Sequence, residues 1–133
     1  MTDEEKFGYW LGHAQYDLET ADAMFKSGKW VYVVFMCQQA IEKLVKGLYL
    51  LYIDDNIPRL HNINAIFSKF SERLPGQIEE NYLNLFRQLS DCYKNTRYTE
   101  YMQNASEMTN EATAKSILDK TREAYQWLLT QKL

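Results

Sequence analysis

The stretch with the most unusual residue content is Tyr93–Tyr101, which holds three tyrosines and two cations within nine residues. Guanidinium groups pair with phosphates, and aromatic rings stack on nucleobases. Lys94, Arg97, Tyr98 and Tyr101 are therefore candidate nucleotide-binding residues, with Tyr93 as a structural neighbour. The alternative is purely local, because cations at the C-terminal end of a helix are stabilised by the helix dipole.

A second candidate cluster lies in the segment Gln38–Gly47, where polar side chains flank an apolar stripe. Glu42 neighbours Lys43 and precedes Lys46 by one helical turn, so ion pairs are expected. One interpretation is a solvated helical face, whose ion pairs stabilise the fold only slightly. The other is a subunit interface, in which Gln39, Glu42, Lys43 and Lys46 set the register.

The two histidines of the chain fall in different settings. His13 lies near Tyr9 and Tyr16 on one flank of a predicted helix, and we expect a partly exposed, hydrogen-bonded imidazole there. His61 comes just before a short predicted helix, where an imidazole can cap backbone groups or fix the loop. Because Arg59 is close by, Arg59 and His61 are also candidate nucleotide-binding residues.

Several other chemistries lack the residues that they need. A di-iron bundle requires paired Glu-x-x-His motifs, and neither histidine follows a glutamate at that spacing. Zinc would require clustered cysteines and histidines, and phosphate-binding loops require clustered glycines. The sequence therefore predicts no metal site, no cofactor and no catalytic residue.

Composition bounds the class of protein. The chain has 133 residues, of which 46% are hydrophobic, and a net charge of −3, so we expect one domain over residues 1–133 and no globally basic nucleic-acid binder. Cys37 and Cys92 are too few for a disulfide scaffold and predict reduced core thiols. The acidic start Met1–Lys6 and apolar runs far shorter than about 20 residues predict no secretion signal, no membrane span and a cytoplasmic location.

Apolar periodicity predicts the elements that position these side chains. Thr2 and Glu5 form a capping-box pattern that begins a first helix, and Ser27–Gly28 ends it. The next stripe begins in a β-branched, aromatic run that resembles a strand. Its helical spacing continues beyond that run, which favours one long second helix ending at Asp54–Pro58. The two stripes are Phe7, Leu11, Ala14, Leu18, Ala21 and Phe25, then Trp30, Val34, Cys37, Ile41, Leu44, Leu48 and Leu51.

The second half of the chain continues the same pattern. A short helix follows His61, a fourth helix ends near Arg97, residues 98–109 form a loop, and a last helix begins at about Asn110. The inward positions are Ile63, Ile66, Phe67 and Phe70, then Ile78, Tyr82, Leu85, Leu89 and Cys92, then Ala114, Ile117, Thr121, Ala124 and Leu128. The predicted fold is all-α, an antiparallel up-and-down bundle of four long helices and one short one.

Separated segments of the chain match the pattern of one family in the right order. Phe35–Gly47 contains the Q-A-x-E-K-x-x-K pattern of a second helix, following Ala21–Trp30, and Pro58–Ile63 is similar to a T-H-x-L entry into a short third helix. The spacing in Tyr93–Tyr98 is similar to a Y-x-x-x-R-Y segment. On these residues the chain resembles the HEPN domain (higher eukaryotes and prokaryotes nucleotide-binding).

The resemblance implies a compact helical bundle that commonly dimerises. Prokaryotic members are often paired with a minimal nucleotidyltransferase as toxin and antitoxin, and many are metal-independent ribonucleases. Those enzymes use an arginine followed, after four to six residues, by a histidine on the fourth helix. The histidine serves as general acid or base, and the arginine stabilises the charge at phosphorus.

This chain departs from the family at the catalytic motif, because no histidine follows His61. The positions permitted after Arg87 hold Cys92, Tyr93 and Lys94, and those after Arg97 hold Met102, Gln103 and Asn104. A proton carrier suited to neutral pH is thus missing. In some toxins of the family a nearby tyrosine is modified, and Tyr98 and Tyr101 are the loose analogues here.

Three hypotheses follow for the function. The first is a non-catalytic module that binds a nucleotide, RNA or a minimal nucleotidyltransferase. The second is a divergent ribonuclease toxin, with Arg97 as electrophile and His61 or Tyr98 in place of the missing base. The third is a dimeric interaction subunit that takes no ligand.

Overall fold

The computed structural model describes residues 1–96 and 109–133, and for residues 93–96 it describes the backbone alone. Five α-helices lie in these ranges, and no strand is found within them. The helices are α1 (Asp3–Lys26), α2 (Trp30–Tyr52), α3 (Ile63–Phe67), α4 (Glu80–Thr96) and α5 (Glu111–Thr130), with a 3-10 turn at Ser71–Arg73. The predicted all-α class, with four long helices and one short one, is confirmed.

Contacts between the helix ends define an up-and-down arrangement. The short connection 27–29 makes α1 and α2 antiparallel neighbours. The C-terminal ends of α2 and α5 meet where the Tyr52 hydroxyl donates to the Gln131 carbonyl at 2.6 Å. Tyr82, at the start of α4, stacks on Trp127, near the end of α5, with ring centroids 4.7 Å apart. α4 therefore runs antiparallel to α5.

The caps of α1 lie where the sequence predicts them. The Thr2 side chain accepts from the Glu5 amide at 3.1 Å, and the Glu5 carboxylate accepts from the Thr2 amide at 3.3 Å. At the other end, Gly28 has φ +73°, a backbone conformation that residues other than glycine rarely adopt. Both ends of α1 are therefore determined by residues that lie next to them in the sequence.

α2 is the central element of the core. The β-branched run at its start is helical, so the helical interpretation of that stripe is confirmed. Its inward side chains pack against α1, α4 and α5, and Cys37, Ile41, Leu44 and Leu48 are fully buried. Burial on several sides explains why this helix has so few polar residues in its first two turns.

Two details of the second half differ from the prediction. Ile78 lies before α4, which begins at Glu80, although its side chain is partly buried against the core. Phe70 is buried as expected but follows α3 and precedes the 3-10 turn.

Asn110 caps α5, where its side chain accepts from the Thr113 amide at 2.9 Å. The predicted end of α4 near Arg97 and the predicted loop 98–109 fall at or beyond the limit of the described residues.

No helix in the described part of the chain is long and apolar enough to cross a lipid bilayer. Both cysteines are free thiols, as the sequence predicts.

Burial should lower the chemical reactivity of both thiols in the native protein, which can be tested. It raises the pKa of the Cys37 thiol to about 12, and it raises the pKa of Cys92, with the Asp91 carboxylate adding to the shift. Because the thiolate is the reactive form, we expect the native protein to react slowly with Ellman's reagent at pH 8, Cys92 before Cys37. Both thiols should react quickly once the protein is unfolded in denaturant. Rapid modification of Cys37 in the native protein would contradict its position in the core.

Candidate functional site

A buried carboxylate, Glu42, is the centre of a polar cluster on α2. The residue is only 5% exposed, so its charge needs partners within the protein. Its Oε1 accepts from Gln38 Nε2 at 2.7 Å, and its Oε2 lies 3.2 Å from Lys46 Nζ and 3.3 Å from His61 Nδ1. We call Glu42 with Gln38, Lys46 and His61 the Glu42 cluster.

The helical repeat of α2 builds most of this cluster. Gln38, Glu42 and Lys46 are each one turn apart, so their side chains follow one another along the same face. Gln38 is fully buried, and its Oε1 accepts from Gln39 Nε2 at 2.6 Å while its Nε2 donates to Glu42. The chain of donors therefore points from Gln39 through Gln38 to the carboxylate.

His61 reaches the cluster from the segment between α2 and α3. The next residue, Asn62, caps α3 by accepting from the Ala65 amide at 3.1 Å. The Ile63 amide donates to Ser90 Oγ on α4 at 3.0 Å. The capping role considered for His61 thus belongs to Asn62, whereas His61 fixes the segment through its contact with Glu42.

A second ion pair joins α1 to α2 close to the Glu42 cluster. Lys43 Nζ contacts Asp17 Oδ2, and Asp17 is buried. Gln38 and Glu42 are themselves buried. The interpretation of this part of α2 as a solvated face is therefore wrong for these two residues. Whether Gln39, Glu42, Lys43 and Lys46 also border a subunit interface stays a prediction.

The other predicted binding residues are distributed as follows. Arg59 is exposed and lies two residues before His61. Tyr93 and Lys94 belong to α4, one turn beyond Ser90, and their side chains are outside the described part. Arg97, Tyr98 and Tyr101 lie outside the described residues altogether.

His13 occupies a separate place, on the exposed face of α1. Its ring centroid lies 4.6 Å from that of Tyr9, and Tyr9 and Tyr16 are both exposed. Gly8 and Gly12 leave open space beside these rings. Across residues 1–96 and 109–133 no group of three potential metal ligands occurs.

Sequence reasoning missed three polar residues that organise the site. Gln38 precedes Glu42 by one turn, a spacing that could have identified it as a partner. Asp17 directly precedes Leu18 of the apolar stripe of α1, so its carboxylate lies at the edge of the inward face, where an ion pair could have been expected. Ser90 carries no such signal, because its role depends on where the segment before α3 lies.

Comparisons with known proteins agree with this fold. The family model of the HEPN domain matches residues 7–132. The crystal structure of TT1696 from Thermus thermophilus is similar with a TM-score of 0.81 and 21% identity, over 95% of this chain and 98% of that one. The structure of ST0689, an archaeal HEPN homologue, is similar with a TM-score of 0.71 and 22% identity, over 94% of this chain and 96% of that one. No match is found among curated proteins. On the family-model match over nearly its whole length, the chain belongs to the HEPN domain family.

Proposed function

We propose that this HEPN domain is a non-catalytic module that binds a nucleotide where the segment before α3 crosses α2. The observation that carries the proposal is the position of His61. Its side chain is 46% exposed, yet its Nδ1 is held by a carboxylate that is almost completely buried. A side chain that is already held in place loses less conformational freedom when it binds a ligand, which favours binding.

The surrounding charges support a phosphorylated ligand. Arg59 is exposed beside His61, and Lys46 is held close to the imidazole by Glu42. Lys94 and Arg97 are the cations that the sequence predicts for phosphate binding, and the tyrosines Tyr98 and Tyr101 would stack on a base. The absence of a histidine after Arg87 or Arg97 in the sequence supports a binding role rather than catalysis.

Calorimetric titration with ATP, CTP and a short RNA tests this proposal. We expect measurable affinity for at least one of them, weakened about tenfold or more in Arg97→Ala and in His61→Ala, because each substitution removes a hydrogen-bonding group from the site. Arg87→Ala and His13→Ala are matched controls, since Arg87 is exposed and bonds only to Asn84 among the contacts described, and His13 lies on α1. If Arg97→Ala bound nucleotide as tightly as wild type, Arg97 would not be a binding residue. If His61→Ala bound nucleotide as tightly as wild type, the proposed site beside His61 would be wrong.

One observation favours a second candidate function, a divergent metal-independent ribonuclease. A histidine whose Nδ1 contacts a carboxylate has the arrangement of a general base. In that case induced expression would arrest growth, and the purified protein would cleave RNA in EDTA with a loss of activity in His61→Ala. Binding without cleavage is the result that the non-catalytic proposal requires.

Family membership supports two proposals about partners. We propose a homodimer, for which light scattering should give about twice the 15.8 kDa mass of one chain. We also propose a minimal nucleotidyltransferase as partner, which a neighbouring reading frame with that enzyme's motif would support. We also propose that the protein is located in the cytoplasm.

A further inference from the structure

The outward face of α1 carries a second stripe of residues, separate from the apolar stripe that packs into the core. All of its members are exposed, and they follow one another at alternating steps of four and three residues. This is the spacing at which one helix packs along another. We call these residues the outer stripe: Glu5, Tyr9, Gly12, Tyr16, Glu19, Ala23 and Lys26.

The middle of the outer stripe exposes aromatic rings instead of charges. Tyr9 and Tyr16 are 66% and 69% exposed. Between Glu5 and Glu19 the exposed residues of α1 are glycines, tyrosines, a histidine and a glutamine. Exposed aromatic residues without charged neighbours on the same face are typical of a surface that another protein covers.

Gly12 is not required by the packing of a single chain. In the described structure no atom lies within 4 Å of a Cβ atom built at Gly12, whereas a Cβ atom at Gly47 meets the Phe7 ring at 3.1 Å. Glycine is unfavourable in the interior of a helix, so its presence at an open position needs another reason. The close approach of a helix from outside supplies one, because glycine leaves room for a large side chain of the neighbour.

Charges at the two ends of the outer stripe indicate what covers it. Glu5 lies at the N-terminal end, and Lys26, with a side chain that is 75% exposed, lies at the C-terminal end. A second α1 packed antiparallel brings each glutamate to the lysine of the other copy, whereas a parallel helix brings like charges together. The contacts of Glu5 with Thr2 use Oε1, so a lysine can bind at Oε2. The stripe is thus complementary to itself.

The register of such an antiparallel pair follows from the contact between Glu5 and Lys26. Moving inward by one member of the stripe brings Tyr9 of one copy opposite Ala23 of the other. Moving inward once more brings Glu19 opposite Gly12, at the position with open space. Each large side chain therefore meets a small residue, as close packing of two helices requires.

From this pattern we infer that the outer stripe is the contact surface between two copies of this chain, packed antiparallel about a twofold axis near Tyr16. The inference rests on the proposed homodimer and names the surface that forms it. The two Tyr16 rings meet at the axis, and a contact between Glu5 and Lys26 closes the interface at each end.

Sedimentation equilibrium of wild type and Tyr16→Lys over a range of concentrations tests this surface. Tyr16 is exposed in the single chain, so circular dichroism should show a normally folded variant. We expect the dissociation constant of the dimer to rise about tenfold or more, because two ammonium groups would meet at the axis. Lys115→Glu, at an exposed position of α5, is the control and should associate as wild type does.

An exchange of charges tests the antiparallel direction. At low ionic strength, Glu5→Lys and Lys26→Glu should each weaken association about threefold to tenfold, because each creates two contacts between like charges. The double variant Glu5→Lys with Lys26→Glu should restore most of the lost affinity. The two positions lie about 32 Å apart along one helix, so contacts within a single chain cannot produce this restoration.

The failures are distinguishable. A wild-type dimer that Tyr16→Lys leaves intact would overturn this surface, while the proposed homodimer would stand. Weakening by Tyr16→Lys without restoration in the double variant would overturn the antiparallel pairing. A wild type that stays monomeric at every concentration would overturn the homodimer and its surface together, and the outer stripe would be left to a different protein partner. None of these results bears on nucleotide binding beside His61.

Discussion

Replacing Glu42 with alanine is expected to lower the free energy of unfolding by about 3–5 kcal/mol, the usual cost of breaking a buried ion pair. The substitution leaves the ammonium group of Lys46 without its carboxylate in a nearly buried position, and it leaves the NH₂ group of buried Gln38 without an acceptor. Both groups lose a hydrogen bond that water cannot readily replace. Urea unfolding followed by circular dichroism gives the value directly.

Two further variants separate burial from charge. Lys115→Ala removes an exposed ion pair with Asp119 and should change the stability little. Glu42→Leu combined with Lys46→Met removes both charges and should recover the part of the loss that comes from the unpaired Lys46, while Gln38 still lacks its acceptor. A loss below about 1 kcal/mol for Glu42→Ala would mean that the carboxylate is solvated, contrary to its burial.

Replacing Gly47 with leucine should lower the free energy of unfolding by about 3 kcal/mol, because the side chains of α1 leave no room for a side chain at this position of α2. A Cβ atom at position 47 would lie 3.1 Å from the Phe7 ring and 3.1 Å from Cβ of Trp10. The Phe7 ring is buried and Trp10 Cβ is attached to the backbone of α1, so neither can move without shifting the helix. Leucine adds three more carbon atoms to this contact, and the thermal midpoint should fall accordingly.

Gly12 provides the matched control on the opposite face of α1. No atom lies within 4 Å of a Cβ built at Gly12, and alanine is about 1 kcal/mol more favourable than glycine within a helix. Gly12→Ala should therefore raise the stability slightly, while Gly47→Leu lowers it. If Gly47→Leu were as stable as wild type, α1 and α2 would have to lie farther apart than described.

Local chemistry made most of the helices predictable. The capping box at Thr2 and the glycine at position 28 fix both ends of α1, and neither depends on distant contacts. The start of α4 was harder, because Ile78 continues the apolar spacing while its backbone is not yet helical. A side chain can pack against the core from an extended segment, so periodicity alone overestimates the length of the helix.

The candidate site was predictable only in parts. Glu42 and Lys46 could be paired from their spacing on one helix, but their burial depends on how α2 packs against its neighbours. His61 is 19 residues from Glu42 in the sequence, and the segment between α2 and α3 has no periodic pattern that would place it. The contact between them is therefore a product of the tertiary fold.

A titration of the protein with ATP and CTP, followed through the ring resonances of its two histidines, decides whether a nucleotide binds beside His61. His61 and His13 give one set of signals each, and His61→Gln assigns them. We expect the signals of His61 to move with added nucleotide and to saturate, while those of His13, on the exposed face of α1, stay in place. Signals of His61 that do not change at saturating nucleotide would contradict a nucleotide site at the Glu42 cluster.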